Sequence, residues 1–358
     1  MKKKEYVLNK VTPLNLHYDW KLSNLDKVEK HNCTVFSCFA CGGGSSMGYK
    51  LAGYNVIGFN EVNPKLTECY ITNLNPKYKY IKPIQEFKNR KNFPKALHNL
   101  DILDGSPPCS SFSIAGVRER DWGKEKKFKE GQHKQVLDTL FFDFIDLAEI
   151  LKPKIIVAEN VKGLLIGNAK KYLMKIGKQL NNIGYSHTCK LLNASTMGVP
   201  QERERVFILA IRNNLLKYVN KDMLDSPIIN LQFNLPKIKF KEISDNNDNT
   251  CTLNETYINY WELAKEGESV GKFKARKKQS FNSNIHTLVS SGHNYHPIYK
   301  RSLNKNELLK ISTFPKNYNF LNNDFKFIVG MSVPPIMMAQ ISNQIKIQWL
   351  NKINAIKK

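Results

Sequence analysis

The feature that most constrains this chain is an alternation of short apolar runs with longer amphipathic stretches between Asn32 and about Ala210. Residues 34–39, 56–60, 102–103, 155–158 and 206–210 are strand candidates. Several are apolar on both faces, as strands of a parallel sheet covered on two sides must be. Residues 138–151 and 170–182 are helix candidates lying between them. This βαβ alternation predicts the α/β class, with a doubly wound, mostly parallel sheet.

After Arg212 the pattern breaks. Residues 213–285 are polar, rich in Asn and Lys, and carry no long periodic segment. Within them, Lys272-Phe273-Lys274-Ala275-Arg276-Lys277-Lys278 sets five positive charges around one aromatic ring. From Phe327 to Leu350 the chain is apolar again, with Met and Ile at helical spacing. A chain of 358 residues suits one large domain plus a smaller one. The expected organisation is an N-terminal extension at 1–30 and a catalytic, cofactor-binding domain at 31–212. A smaller second domain follows at 213–326, and a segment at 327–358 returns to the first domain.

Lys and Arg number 55 against 31 Asp and Glu, a formal charge of +24. That excess points to a polyanionic partner, although coding bias toward lysine and asparagine gives the same composition. The seven cysteines are odd in number and scattered through apolar segments, which argues for reduced thiols. No apolar run of signal-peptide length follows Met1-Lys2-Lys3-Lys4-Glu5, and none of 18 or more residues is seen. A soluble, cytoplasmic protein without membrane contact is therefore expected.

Four segments carry chemistry. The turn Phe39-Ala40-Cys41-Gly42-Gly43-Gly44-Ser45-Ser46-Met47-Gly48 directly follows the first strand, where glycines let backbone approach a ligand. Glu61 follows the second strand, placed to accept hydrogen bonds from ribose hydroxyls. The spacing is not G-x-G-x-x-G, so an adenosine-bearing cofactor smaller than a dinucleotide fits better, and a purely structural turn is the competing reading. Cys38-Phe39-Ala40-Cys41 also forms C-x-x-C, but no second Cys or His pair accompanies it, and no metal site is expected. Asp104-Gly105-Ser106-Pro107-Pro108-Cys109 ends another strand and presents Cys109 on a proline-stiffened loop. A thiolate there would be a strong nucleophile, against the commoner fate of an inert buried cysteine. Glu159 stands at the end of Val157-Ala158-Glu159-Asn160-Val161, where partial burial suits a general acid. In Gly198-Val199-Pro200-Gln201-Glu202-Arg203-Glu204-Arg205, alternation places Arg203 and Arg205 on one strand face, as a fork for a base carbonyl or phosphate. Salt bridges to Glu202 and Glu204 compete with that reading.

In this order, these segments resemble the DNA cytosine-5 methyltransferase family of bacterial type. The glycine turn looks like its cofactor motif, and Ser106-Pro107-Pro108-Cys109 like its catalytic motif. Glu159-Asn160-Val161 is similar to its acid motif, and Gln201-Glu202-Arg203-Glu204-Arg205 to Q-x-R-x-R. Thr139-Leu140-Phe141-Phe142-Asp143, Leu192-Asn193-Ala194, His286-Thr287-Leu288, Arg301-Ser302-Leu303 with Glu307, Phe314-Pro315, and Gly330-Met331-Ser332-Val333-Pro334-Pro335 extend the likeness. It runs from about Thr34 to Ile341 and leaves 213–280 unmatched, where the family keeps its variable target-recognition segment. Ser37 stands where an acidic residue is usual, Cys41 at the first glycine, Pro83 where an Asp contacts adenine, and Met331 where an Asn is usual. All four departures fall near the expected cofactor site.

The resemblance implies an S-adenosylmethionine-dependent methyltransferase fold with a smaller target-recognition domain. The implied activity is transfer of a methyl group from S-adenosyl-L-methionine to carbon 5 of a flipped cytosine, through a covalent cysteine adduct. The catalytic set would be Cys109, Glu159, Arg203 and Arg205. Cofactor contacts would come from Phe39, Ala40, Gly42, Gly43, Gly44, Glu61, Val62, Ile84, Asp104, Pro108, Leu140 and Ser332. DNA contacts would come from Ser110, Ser113, Arg118, Arg120, Asn160 and Thr287, with the loop 113–135 closing over the base. The implied partners are double-stranded DNA and, acting separately, a cognate restriction endonuclease; a monomer associated with the bacterial nucleoid is expected. The family's tRNA-methylating branch carries a Cys-Phe-Thr signature that Cys251-Thr252-Leu253 does not match. A DNA-binding protein without catalysis is countered by the intact Cys109, Glu159 and arginine pair. A nicotinamide oxidoreductase fails on glycine spacing and the lack of a hydride-transfer site.

Overall fold

Runs with no polar face gather at the centre of a seven-stranded sheet. In chain order the strands are β1 (Thr34–Cys38), β2 (Asn55–Glu61), β3 (Tyr78–Ile81), β4 (Ile102–Gly105), β5 (Ile155–Val161), β6 (Tyr185–Asn193) and β7 (Glu204–Arg212). Across the sheet they lie β3-β2-β1-β4-β5-β7-β6. The pairs among β1 to β5 are parallel, while β7 runs antiparallel to both β5 and β6. The expected doubly wound, mostly parallel sheet is therefore present, and its winding reverses between β1 and β4. Ligands of such sheets bind beyond the carboxyl ends of the strands at that reversal. The computed structural model describes residues 18–108, 139–167, 169–245, 252–272, 276–290 and 294–355, and elsewhere only the backbone of residues 6–7, 15–16, 125–126 and 135–136.

The helices are α1 (Gly44–Leu51), α2 (Pro64–Leu74), α3 (Ile84–Lys88), α4 (Leu140–Leu151), α5 (Ala169–Asn182), α6 (Glu255–Leu263), α7 (Lys305–Ser312), α8 (Phe325–Met331) and α9 (Pro335–Ile345). Strand alternation sorts the core into two layers. Val35, Ile102, Val157 and Leu209 pack with Met47 of α1 and with Met337 and Ile341 of α9. Their neighbours Phe36, Leu103, Ile156 and Ile208 face Phe87 of α3, Phe144 of α4 and Ile176 of α5. Local signals start the helices: the Asn63 side chain accepts the N–H groups of Lys65 and Leu66, with Pro64 already set for the first turn of α2.

α9 lies directly on α1. A Cβ built at Gly48 would fall 2.5 Å from both Met338 Cβ and Pro335 O, so the approach requires glycine. The Tyr54 hydroxyl adds a hydrogen bond to Ser342 O at 2.8 Å. One correction concerns this region. The helical run Phe325–Asn354 holds an 18-residue window with a mean hydropathy of 1.2, long and apolar enough by composition to cross a membrane, although no such segment was expected. Of that window 78% is buried within the protein, as in a core helix.

Most apolar residues of 213–326, among them Ile229, Leu231, Phe240, Ile285 and Leu303, join the same core as α1 and α9. Trp261, Ala264, Val270 and Tyr295 form a small cluster of their own. A buried polar knot fastens this part to α7. The Arg301 guanidinium donates to both Glu307 oxygens, at 2.8 and 2.9 Å, and Asn304 N–H and Asp245 N–H donate to the same carboxylate.

Candidate active site

β1 and β2 end beside each other, and their carboxyl ends open into a cleft. Phe39, Glu61, Val62, Ile84, Pro108 and Leu140, all expected to touch cofactor, line it. Also lining it are Cys41, Asn60, Leu66, Lys82, Pro83, Ser106, Phe327 and Met331. Cys41, Pro83 and Met331 are three of the four positions that depart from the family pattern. Phe327 and Leu66 carry no local signal beyond helical apolarity, so spacing could not have found them.

Ala40, Gly42, Gly43, Gly44, Asp104 and Ser332 are not among the residues that line the cleft. The glycines were expected to let a ligand approach, but the structure gives two of them a packing reason. A Cβ at Gly42 would lie 2.3 Å from Ile328 Cγ2, and one at Gly44 would lie 2.2 Å from Val333 O. Gly43 has φ +76° and starts α1. The turn is thus the seat of α8 and of the loop before α9. Cys41 holds a left-handed conformation, φ 46°, that suits the glycine it replaces. Ser332 is buried and its hydroxyl points to Cys41 Sγ at 3.8 Å.

Two carboxyl groups order the strand ends. Glu61 Oε2 accepts Cys41 N–H at 2.9 Å, and Oε1 accepts Val62 N–H and Asn63 N–H at 2.9 and 3.0 Å. Burial raises its pKa, and those N–H donors partly offset the rise. Oε2, with a single donor, keeps lone-pair capacity for a further hydrogen bond, whereas Oε1 is filled by its two. Asp104 is buried between the Ser37 hydroxyl at 2.8 Å and the Tyr49 hydroxyl at 3.3 Å. Burial lifts its pKa to about 7, against the pull of those two donors.

On the other side of the reversal, β5 ends at Glu159-Asn160-Val161 beside β7. Glu159 Oε1 meets Arg205 Nε at 2.9 Å, with both side chains largely buried. The Asn160 side chain donates to Pro107 O at 3.1 Å and accepts Val161 N–H at 2.8 Å. It therefore ties the tip of β5 to the stretch leading into Cys109. Cys109 itself lies outside the described residues, as do Ser110, Ser113, Arg118, Arg120 and most of the loop 113–135.

The two arginines do not share hydrogen-bond partners, although both feel the charge of Glu159. Arg203 falls between the short strand Gln201–Glu202 and β7, where alternation is interrupted. It is buried, and its Nη1 and Nη2 donate to Leu288 O at 3.1 Å and Gly330 O at 3.0 Å. Burial first, and the Arg205 charge second, lower its pKa to about 9. The competing salt bridges also go elsewhere: Glu202 pairs with Lys237 at 2.7 Å, and Glu204 with Lys162 at 2.8 Å. Thr287 donates its hydroxyl to Glu202 O. Cys38 is buried and Cys41 partly so, both free thiols; among the described residues no cluster of three His, Cys, Asp or Glu could hold a metal ion.

Comparison with known proteins adds an independent line. Residues 33–347 match the family described as C-5 cytosine-specific DNA methylase. The type II methyltransferase M.DdeI of Desulfomicrobium norvegicum is 25% identical over 391 residues, spanning 90% of each chain. The type II methyltransferase M.Sau96I of Staphylococcus aureus is 34% identical over 208 residues, 56% of this chain and 44% of that one. A provisionally assigned DNA modification methyltransferase from an E. coli prophage superposes with a TM-score of 0.67 at 18% identity. That match covers 89% of this chain and all of the other, and establishes likeness of fold.

Proposed function

Because the chain belongs to the C-5 cytosine-specific DNA methylase family and is thus a DNA cytosine-5 methyltransferase, we propose that it works by a covalent cysteine mechanism on a flipped base, with S-adenosyl-L-methionine in the cleft between β1, β2 and α8. The observation that carries this reading is the Glu159–Arg205 pair, set beside the Pro107 loop that leads to Cys109.

The cleft suits such a cofactor in its lining: its walls are mostly apolar, and one carboxylate lines it. Phe39, Ile84, Leu140 and Phe327 would hold the adenosyl group, and Glu61 would accept from ribose hydroxyls. When bound, the cofactor supplies an electrophilic methyl group.

The remaining chemistry belongs to the chain. The Cys109 thiolate adds to carbon 6 of the extruded cytosine while Glu159 hydrogen-bonds or protonates N3, leaving carbon 5 electron-rich. After methylation, loss of the carbon 5 proton expels the thiolate and restores the ring. Arg205 orients Glu159 and offers its remaining donors to the base carbonyl. Arg203, with both Nη groups on backbone carbonyls, holds the site together from behind. Residues 213–326 would read bases as a smaller recognition domain, and the basic surface would contact phosphates. A cytoplasmic monomer, with a cognate restriction endonuclease acting separately, completes the proposal.

The decisive test uses tritiated S-adenosylmethionine, mixed-sequence duplex DNA and base analysis by mass spectrometry. Label appears as 5-methylcytosine with the wild type and is absent with Cys109→Ser, which still binds DNA. Undiminished methylation by that variant overturns the covalent mechanism.

A further inference from the structure

Asn60, the next-to-last residue of β2, stands opposite Tyr80 of β3 and lines the cleft with only 2% of its surface exposed. Its side-chain Nδ2 donates to Tyr80 O at 3.1 Å and to Lys82 O at 2.8 Å. Only the NH2 end of a carboxamide can meet two carbonyl oxygens, so the group cannot turn over. What remains is Oδ1, an acceptor that takes no hydrogen bond among the described residues. The nitrogen is spent on β3, and the oxygen is the atom left for the cleft.

The walls on either side of Asn60 differ. Toward β3 they are Lys82, Pro83 and Ile84, one ammonium donor and two apolar side chains. The backbone carbonyls there already accept: Lys82 O from Asn60, and Pro83 O from the N–H groups of Glu86 and Phe87. Toward β4 the wall is Ser106 and Pro108, next to Cys109 in the chain. A methyl donor has to turn its sulfur toward that cysteine, and Glu61 Oε2 is open to the ribose. The base then falls on the β3 side, where its exocyclic amino group is a donor in need of an acceptor.

We propose that Asn60 is a specificity-determining residue whose Oδ1 accepts from the 6-amino group of the cofactor's adenine, so that the cleft selects adenine over purines lacking that donor. This deepens the reading of the cleft as the S-adenosyl-L-methionine site and rests on it. Selection follows because a purine without the amino group leaves Oδ1 shut in with no donor to replace it.

The test is calorimetric titration of the intact protein with S-adenosylhomocysteine and with its analogue carrying hydrogen in place of the 6-amino group. That analogue removes one donor and adds no bulk. The wild type should bind it roughly 5- to 150-fold more weakly, the span expected for one buried acceptor left unpaired. Equal affinities overturn the proposal, whether or not any variant folds. In Asn60→Leu the preference should vanish, and a retained preference overturns it too. Asn60→Asp loses donors to β3 but still offers an oxygen, so its preference should persist. A preference lost in Asn60→Asp as well would reduce Asn60 to a clamp on β3 and overturn the assignment. Failure of the underlying reading looks different: neither compound then binds the wild type, and the proposal falls with it.

Discussion

Arg205 Nε lies 2.9 Å from Glu159 Oε1 across the antiparallel pair of β5 and β7, so each charge is buried only in the company of the other. Glu159→Gln keeps the shape and removes the proton donor. Turnover should fall by about 10²–10⁴-fold with cofactor affinity little changed, measured by single-turnover methylation and calorimetry. Arg205→Met instead strands the carboxylate and should cost about 3 kcal/mol of stability as well, visible in urea unfolding.

Asp104 gives stability a pH signature. Its folded pKa is raised to about 7, so the folded protein holds a proton there that the unfolded chain releases near the ordinary carboxylate value. Its contribution is complete below about pH 4 and is lost as pH rises through 7, on the order of 4 kcal/mol. Burial lowers His31 and His296 to about 4, which acts the opposite way between 4 and 6.5. The readout is therefore the difference between wild type and Asp104→Asn in denaturant midpoints at pH 5 and pH 8. The variant should lose less stability on going to pH 8; equal losses would remove Asp104 from the account.

Cys41 holds a left-handed backbone that a side chain resists. Cys41→Gly should raise stability by about 0.5–1 kcal/mol, the relief of strain exceeding the added entropy of the unfolded chain. Thermal unfolding of the two proteins decides this, and a lower midpoint for the glycine variant would refute the strain argument.

Gly44→Ala probes the seam between the glycine turn and the loop before α9. Its Cβ would collide with Val333 O, so about 1–3 kcal/mol should be lost even without ligand. A loss confined to cofactor affinity, with unfolding unchanged, would instead restore the ligand-approach explanation of the glycine.

The central strands could be read from the chain because β4 and β5 are apolar on both faces. β3 and β6 escaped that reading for the converse reason. They are the edges of the sheet, and Lys79, Ile81 and Leu191 remain exposed on them, so neither shows a buried pattern. The acid of β5 and the cleft carboxylate Glu61 were legible as polar residues ending apolar strands. What covers the cleft was legible only in part: the resemblance brought Met331 near it, but Phe327 comes from a helix far along the chain, and no local spacing encodes a contact across that separation. For the arginines, two-residue alternation could not decide the outcome, because it holds only within an unbroken strand and the ladder breaks at Arg203.

The seating of α8 and α9 on the glycine turn also bears on biosynthesis. β1 to β7 and α1 to α5 leave the ribosome with the face of Met47 and Gly48 uncovered, and the helices that cover it follow more than a hundred residues later. At cellular elongation rates that gap is on the order of ten seconds. Throughout it, the nascent chain carries an open apolar seam and a ligand cleft still lacking Phe327 and Met331, making this seam the natural place for a chaperone to hold the unfinished protein.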